Sequence, residues 1–94
     1  MKVIFADKAR KAFLKLDKPI QKQIQKFVFR LQKLENPRAI GKGTVENLAG
    51  HWRYRVGDYR LVCSINDDIL EILVVKIGHR REVYKRSLAS SEAY

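Results

Sequence analysis

Residues 51–62, HWRYRVGDYRLV, set two alternating segments around Gly57-Asp58. Read as strands, Trp52, Tyr54 and Val56 point one way and Arg53 and Arg55 the other. Gly57-Asp58 reads as a two-residue hairpin turn with glycine at the first central position. That turn predicts a register with Val56 opposite Tyr59 and Arg55 opposite Arg60. Like charges directly opposed across a sheet cost roughly 0.2–1 kcal/mol. The chain must therefore fold into a sheet with an apolar side to bury and an arginine side that something offsets.

The 94 residues suit one domain with a single modest core, and 46% hydrophobic residues are enough to build it. That composition argues against wholesale disorder. Twenty Lys and Arg against ten Asp and Glu leave a formal charge of +10. An imbalance of that size favours an anionic partner: nucleic acid, an acidic protein or a membrane surface. A solubility charge with no single partner is the competing account. No apolar run approaches the roughly 18–20 residues of a membrane helix, and VIFA at the start is too short for a secretory signal. Cys63 is the only cysteine, so neither a disulfide framework nor a cysteine zinc site is available. A cytoplasmic protein is expected. Cys63 shares a strand side with Tyr59, Leu61 and Ile65, which predicts a buried structural thiol rather than a nucleophile.

KVIFA at 2–6 reads as a short strand. Asp7 then reads as the N-cap of a helix of about ten residues with Ala9, Ala12, Phe13 and Leu16 on one face. Asp17 and Pro19 open a second helix. Its Ile20, Ile24, Phe27, Val28, Leu31 and Leu34 recur at helical spacing, with Lys22, Lys26, Arg30 and Lys33 on the other side. Asn36-Pro37 stops it. Residues 36–50, with Gly41, Gly43 and Gly50, read as a loop. Strands follow at about 51–57, 59–66 and 69–78, the last two joined by NDD, and ILEILVVKI suits a central strand packed on both faces. The expected fold is α+β: an N-terminal strand and a helical hairpin on one face of a small, mainly antiparallel, four-stranded sheet. The helices would cover the side of Trp52, Tyr54, Val56 and Leu61, leaving Arg53, Arg55 and Arg60 on an open, concave face.

Arginine offers a planar fork of donors that matches phosphate oxygens and stays charged at any relevant pH. Clustered arginines therefore suit phosphate recognition or the stabilisation of charge in a phosphoryl transition state. A solvated polar face is the ordinary alternative, and it fits Arg53 taken alone. GHRREVYK at 78–85 adds His79, two arginines and Tyr84 just past the last strand. His79 has an ordinary pKa near neutrality, and Tyr84 can stack on a base or donate a proton. His51, at a loop-to-strand junction, reads as incidental. Two isolated histidines without a carboxylate cluster do not make a metal site. GKG at 41–43 lacks the spacing of a phosphate-binding loop.

The order strand, helical hairpin, three strands, with LAGHWRYRVGDYRLV and VVKIGHRREVYK, resembles the RelE/ParE toxin superfamily of bacterial toxin–antitoxin modules, and its RelE branch most. The resemblance covers about residues 1–86, leaving 87–94 as a tail expected to fray. It implies a ribosome-dependent endonuclease that cuts mRNA in the A site by attack of a 2′-hydroxyl, with no metal or cofactor. Its partners would be the ribosome, mRNA and an acidic antitoxin, and no membrane. The alternative it carries is a ParE-like, non-enzymatic inhibitor of DNA gyrase. The implied catalytic residues are Arg60 and Arg80, for transition-state charge, and Tyr84, for base stacking or leaving-group protonation. RNA binding falls to Arg53, Arg55, Arg81 and Lys85. The best-known member has lysines at the positions of Arg53 and Arg55, and arginine is a poor general base. Relatives use a histidine near the C-terminus or a glutamate upstream of the hairpin, so His79 and Glu46 are the further catalytic candidates, although the spacing around Glu46 differs.

Overall fold

The computed structural model describes residues 1–43 and 50–79. Its elements run β1 (Lys2–Phe5), α1 (Asp7–Leu14), α2 (Lys18–Lys33), a 3-10 turn at Pro37–Ala39, β2 (Lys42–Gly43), β3 (Trp52–Val56), β4 (Tyr59–Asn66) and β5 (Glu71–His79). They form the expected α+β arrangement, with one sheet in the order β1-β5-β4-β3-β2. β1 pairs parallel with β5 and the remaining pairs are antiparallel. The sheet has five strands rather than four, because Lys42 and Gly43 pair with Arg53 and Trp52 inside the stretch expected to be loop. A two-residue strand has too little sequence to show a period.

The hairpin register is the predicted one. Val56 faces Tyr59, Arg55 faces Arg60, and Gly57 takes φ +59 at the turn. Asp58 does not share the positive φ, which fits a type II′ turn. Trp52, Tyr54, Val56, Leu61 and Cys63 fall on one side, where Ile24 and Leu31 of α2, Ala9 of α1, and Ile72, Val74 and Ile77 of β5 complete the core. Tyr54 is fully buried, packs against the tilted ring of Phe27 at 5.4 Å and donates its hydroxyl to the Pro37 carbonyl at 2.6 Å. Burial pushes its pKa up. Cys63 is buried as expected, and burial pushes its thiol up to about 12.

The helical hairpin is held by one side chain. Gln21 Nε2 donates to the carbonyls of Phe13, Leu14 and Leu16 at 3.0, 3.3 and 3.1 Å. Those carbonyls lie at and just past the C-terminal end of α1, where intrahelical donors run out; of the three, the Phe13 carbonyl also accepts from the Leu16 N–H at 3.1 Å. The cap of α1 is Ala6, with Asp7 in the first turn; the carboxylate still faces the positive end of the helix but makes no side-chain cap. Asp17 caps α2 through its backbone position alone, with Pro19 in the first turn.

The last strand starts at Glu71 rather than 69. Ile69 and Leu70 lie in the turn, 61% and 62% exposed, and Leu70 adopts φ +53. Their apolar character mimics a strand start. β5 is central, as expected, between β1 and β4. It also extends one residue further, so His79 lies inside the strand and not beyond it. Residues 44–49 and 80–94, including the expected tail at 87–94, lie outside the described residues.

Candidate nucleic-acid interface

The far side of the sheet carries every second residue of β3, β4 and β5. Arg55 and Arg60 face each other directly. Val56 and Tyr59 close the turn as the hydrogen-bonded pair, so Arg55 and Arg60 form the next, non-hydrogen-bonded pair, where side chains come closer. One position further, Lys42, Arg53, Val62 and Lys76 form a row across four strands. Two further cations, Lys42 and Lys76, therefore join the three arginines. Sequence reading missed both. Lys42 needed the short β2, and Lys76 needed the register of β4 on β5, which shifts by a bulge at Val62/Cys63. Counting back from Gly78 in steps of two would have found Lys76 but not its neighbours.

The face is not uniformly open. Arg55 is exposed and Arg53 half-buried, but Arg60 is only 6% exposed. Its strand neighbour on β5 is Gly78, a position with no side chain. Beside it Val62 is 1% exposed. The expectation of an open face at Arg60 is corrected: this guanidinium is set into the protein, and Arg55 is the one presented to solvent.

His79 pairs with Tyr59, and their rings meet edge to face at 5.3 Å. Since Tyr59 follows Val56 onto the helix side, strand alternation turns His79 away from Arg55 and Arg60. The structure thus brings Arg53, Arg55 and Arg60 together and leaves His79 on the other side of β5. Glu46, Arg80, Arg81, Tyr84 and Lys85 lie outside the described residues. Among the described residues no three His, Cys, Asp or Glu side chains converge, and no helix is long and apolar enough to cross a membrane. The one ion pair described, Arg38 with Asp67 at 3.0 Å, joins the 3-10 turn to the β4–β5 turn through two parallel hydrogen bonds. It holds the Asp67 carboxyl below the usual carboxylate range.

A face of cations at strand spacing, whose described carboxylate on β5 lies at the far end at Glu71, can grip phosphate oxygens and stabilise negative charge. Comparison with known proteins gives this face a context. The family described as ParE toxin of type II toxin–antitoxin system, parDE, matches residues 3–84. Toxin RelG of Mycobacterium tuberculosis is 32% identical over 84 residues, spanning 89% of this chain and 95% of that protein. The crystal structure of the toxin–antitoxin complex RelBE2 from Mycobacterium tuberculosis contains a chain that is 31% identical. It superposes with a TM-score of 0.75, covering 84% of this chain and 96% of that one. The archaeal RelE–RelB complex from Pyrococcus horikoshii OT3 is 26% identical, with a TM-score of 0.66, covering 84% and 93%.

Proposed function

The chain belongs to the RelE/ParE superfamily of type II toxins, and from that premise we propose that it is a ribosome-dependent mRNA endonuclease restrained by an acidic antitoxin. The observation that carries the reading is the Arg55–Arg60 pair, opposed across the hairpin and flanked by Arg53, Lys42 and Lys76. A protein-only inhibitor has no need of guanidinium forks held against their own repulsion. A phosphate passing through a crowded transition state does.

In the proposed reaction a 2′-oxygen bonds to the adjacent phosphorus and the bond to the 5′-oxygen breaks. The products are a 2′,3′-cyclic phosphate and a 5′-hydroxyl. Arg60, held by its burial, and Arg80 stabilise the added charge on the phosphoryl oxygens. Arg53 and Arg55, with Arg81 and Lys85, hold the strand. Tyr84 stacks on a base or gives the leaving oxygen its proton. His79, turned toward Tyr59, is the less direct candidate for proton transfer, and Glu46 is the other. Weak acid–base equipment makes orientation by the ribosome the larger contribution, and positioning is worth up to about 7–11 kcal/mol. RelB-type antitoxins accompany the related toxins in the solved complexes, and the +10 charge suits an acidic partner of that kind.

A programmed ribosome with message in its A site, incubated with the toxin, tests the reading by the end groups of the fragments. Cyclic phosphate and 5′-hydroxyl ends are expected. Fragments bearing 5′-phosphates, the products of metal-activated water, would overturn the mechanism. The match to the ParE family supports a second reading, a gyrase inhibitor, which uncut message together with blocked gyrase would establish.

A further inference from the structure

A second basic surface lies on the opposite side of the molecule, on α2. Its sixteen residues hold five cations and no carboxylate. At 3.6 residues per turn, Lys18, Lys22, Lys33, Lys26 and Arg30 fall within an arc of about 120°, opposite the buried Ile24 and Leu31. Lys22, Lys26 and Arg30 follow one another four residues apart, where like charges repel. A helix selected only for solubility would set glutamates between them. Phe29 lies within the same arc, between Lys18 and Lys22, 58% exposed, with Lys33 Nζ 4.1 Å from its ring centre. Lys22, Gln25, Lys26, Phe29 and Arg30 together line a shallow concavity of about 450 Å³.

We propose that this concavity binds a nucleotide of structured RNA distinct from the substrate strand. The cation row would take successive phosphates and Phe29 would stack under a base. The row has a step of about 6 Å along the helix, comparable with the step between neighbouring phosphates. Stacking on an exposed ring tolerates any base. The proposal rests on the ribosome-dependent reading above and names the surface by which the toxin holds ribosomal RNA while its arginine face meets the message. An acidic peptide is the other anion to weigh. Its apolar side would fit the groove of about 540 Å³ between α1 and α2, lined by Phe13, Leu14, Val28 and Phe29, of which Leu14 and Phe29 are exposed. Lys22, Lys26 and Arg30 do not line that groove, so a helix seated there leaves the row uncovered.

The test compares wild type, the triple variant Lys22→Gln/Lys26→Gln/Arg30→Gln and Phe29→Ala, each as the full chain. Equilibrium binding to purified, programmed 70S ribosomes is measured across salt, beside single-turnover cleavage at saturating ribosomes. The triple variant should bind at least tenfold more weakly at low salt. Its log–log salt slope should be flatter by about two, since each single-strand phosphate contact contributes about 0.7. Phe29→Ala should weaken binding without changing the slope, and the saturated cleavage rate should stay within twofold in both. A melting temperature no lower than wild type confirms that the triple variant is folded. Equal affinity and slope in wild type and triple variant, with message still cut, would overturn the docking surface and leave the nuclease reading standing. Ribosomes bound through the row but message uncut would do the reverse. Wild type that binds no ribosomes would sink both. Affinity lost for an acidic antitoxin, with ribosome affinity kept, would overturn the proposal by assigning the row to a protein partner.

Discussion

Arg55 and Arg60 are neighbours in space with different environments, and that difference separates activity from stability. Arg55 is exposed and makes one long hydrogen bond, from Nε to the Gly57 carbonyl at 3.4 Å. Arg60 is buried. Replacing Arg55 by Gln removes a charge that faces Arg60 at no packing cost. Stability should hold or rise by up to about 1 kcal/mol, while cleavage below saturation falls roughly 10- to 100-fold, as for loss of one charge-assisted hydrogen bond that holds the strand. Arg60→Ala should lose activity and also about 1–3 kcal/mol, because a buried polar group leaves its surroundings unsatisfied. Thermal melts beside cleavage rates will show it; an Arg55→Gln variant destabilised by more than 1 kcal/mol would refute the repulsion argument. Cys63 gives a second residue-scale expectation. With its thiol buried and pushed up to about 12, alkylation of the native protein near pH 8 should run at least about a thousandfold slower than in denaturant. Comparable rates would mean that the core opens readily around β4.

At the scale of elements, the segment after α2 is tied down by Tyr54 and by the Arg38–Asp67 pair, and its close approach to β3 depends on one glycine. Gly41 has φ +82, and a Cβ there would stand 2.6 Å from the Arg53 carbonyl oxygen and 2.7 Å from Trp52 Nε1. The close approach lets Trp52 Nε1 donate to the Ile40 carbonyl at 2.7 Å. It also carries Lys42 into the cation row. Gly41→Ala should cost roughly 2–4 kcal/mol through the left-handed backbone and the overlap together. Trp52 is the only tryptophan, so its fluorescence should shift in the variant; an unchanged spectrum and melt would show that the segment yields cheaply. The same segment marks where sequence reading stops. The hairpin register was legible because alternation and a two-residue turn determine each other, and α2 was legible because its apolar period runs for four turns. The pairing of Lys42 with Arg53 was not, because it depends on a glycine contact with a side chain eleven residues away. The burial of Arg60 was hidden for a related reason: alternation assigns a residue to a face but does not say what lies above that face. Nor did a histidine's position near the chain end reveal its side of β5, which one further strand residue decides.

For the whole molecule, charge is the dominant long-range term. Twenty cations against ten carboxylates repel one another in the compact state, and the cation row of the sheet and the α2 arc concentrate that repulsion on two opposite sides. Salt should therefore stabilise the free protein. The Debye length shortens from about 30 Å at 0.01 M to about 10 Å at 0.1 M, and each kcal/mol recovered raises the melting temperature by roughly 4–8 °C in a domain of this size. The one described ion pair, Arg38 with Asp67, is exposed and loses little to screening. Acid should act in the opposite direction, for two reasons with the same sign. Protonating carboxylates removes the only charges that offset the cations. Asp67 is held below its unfolded pKa by Arg38, so its contribution is present above that unfolded value, about 3.9, and is lost as pH falls through the folded one. Melting temperatures measured from pH 7 to pH 3 at low salt should fall most steeply below about pH 4.5, and added salt should restore part of the loss. Asp67→Asn should flatten the acid limb, because that carboxyl no longer titrates, and should make the salt effect at pH 7 slightly larger, because one fewer carboxylate offsets the cations. A melting temperature that fell with salt at pH 7 would mean that attractive pairs, not the excess of cations, govern the free toxin.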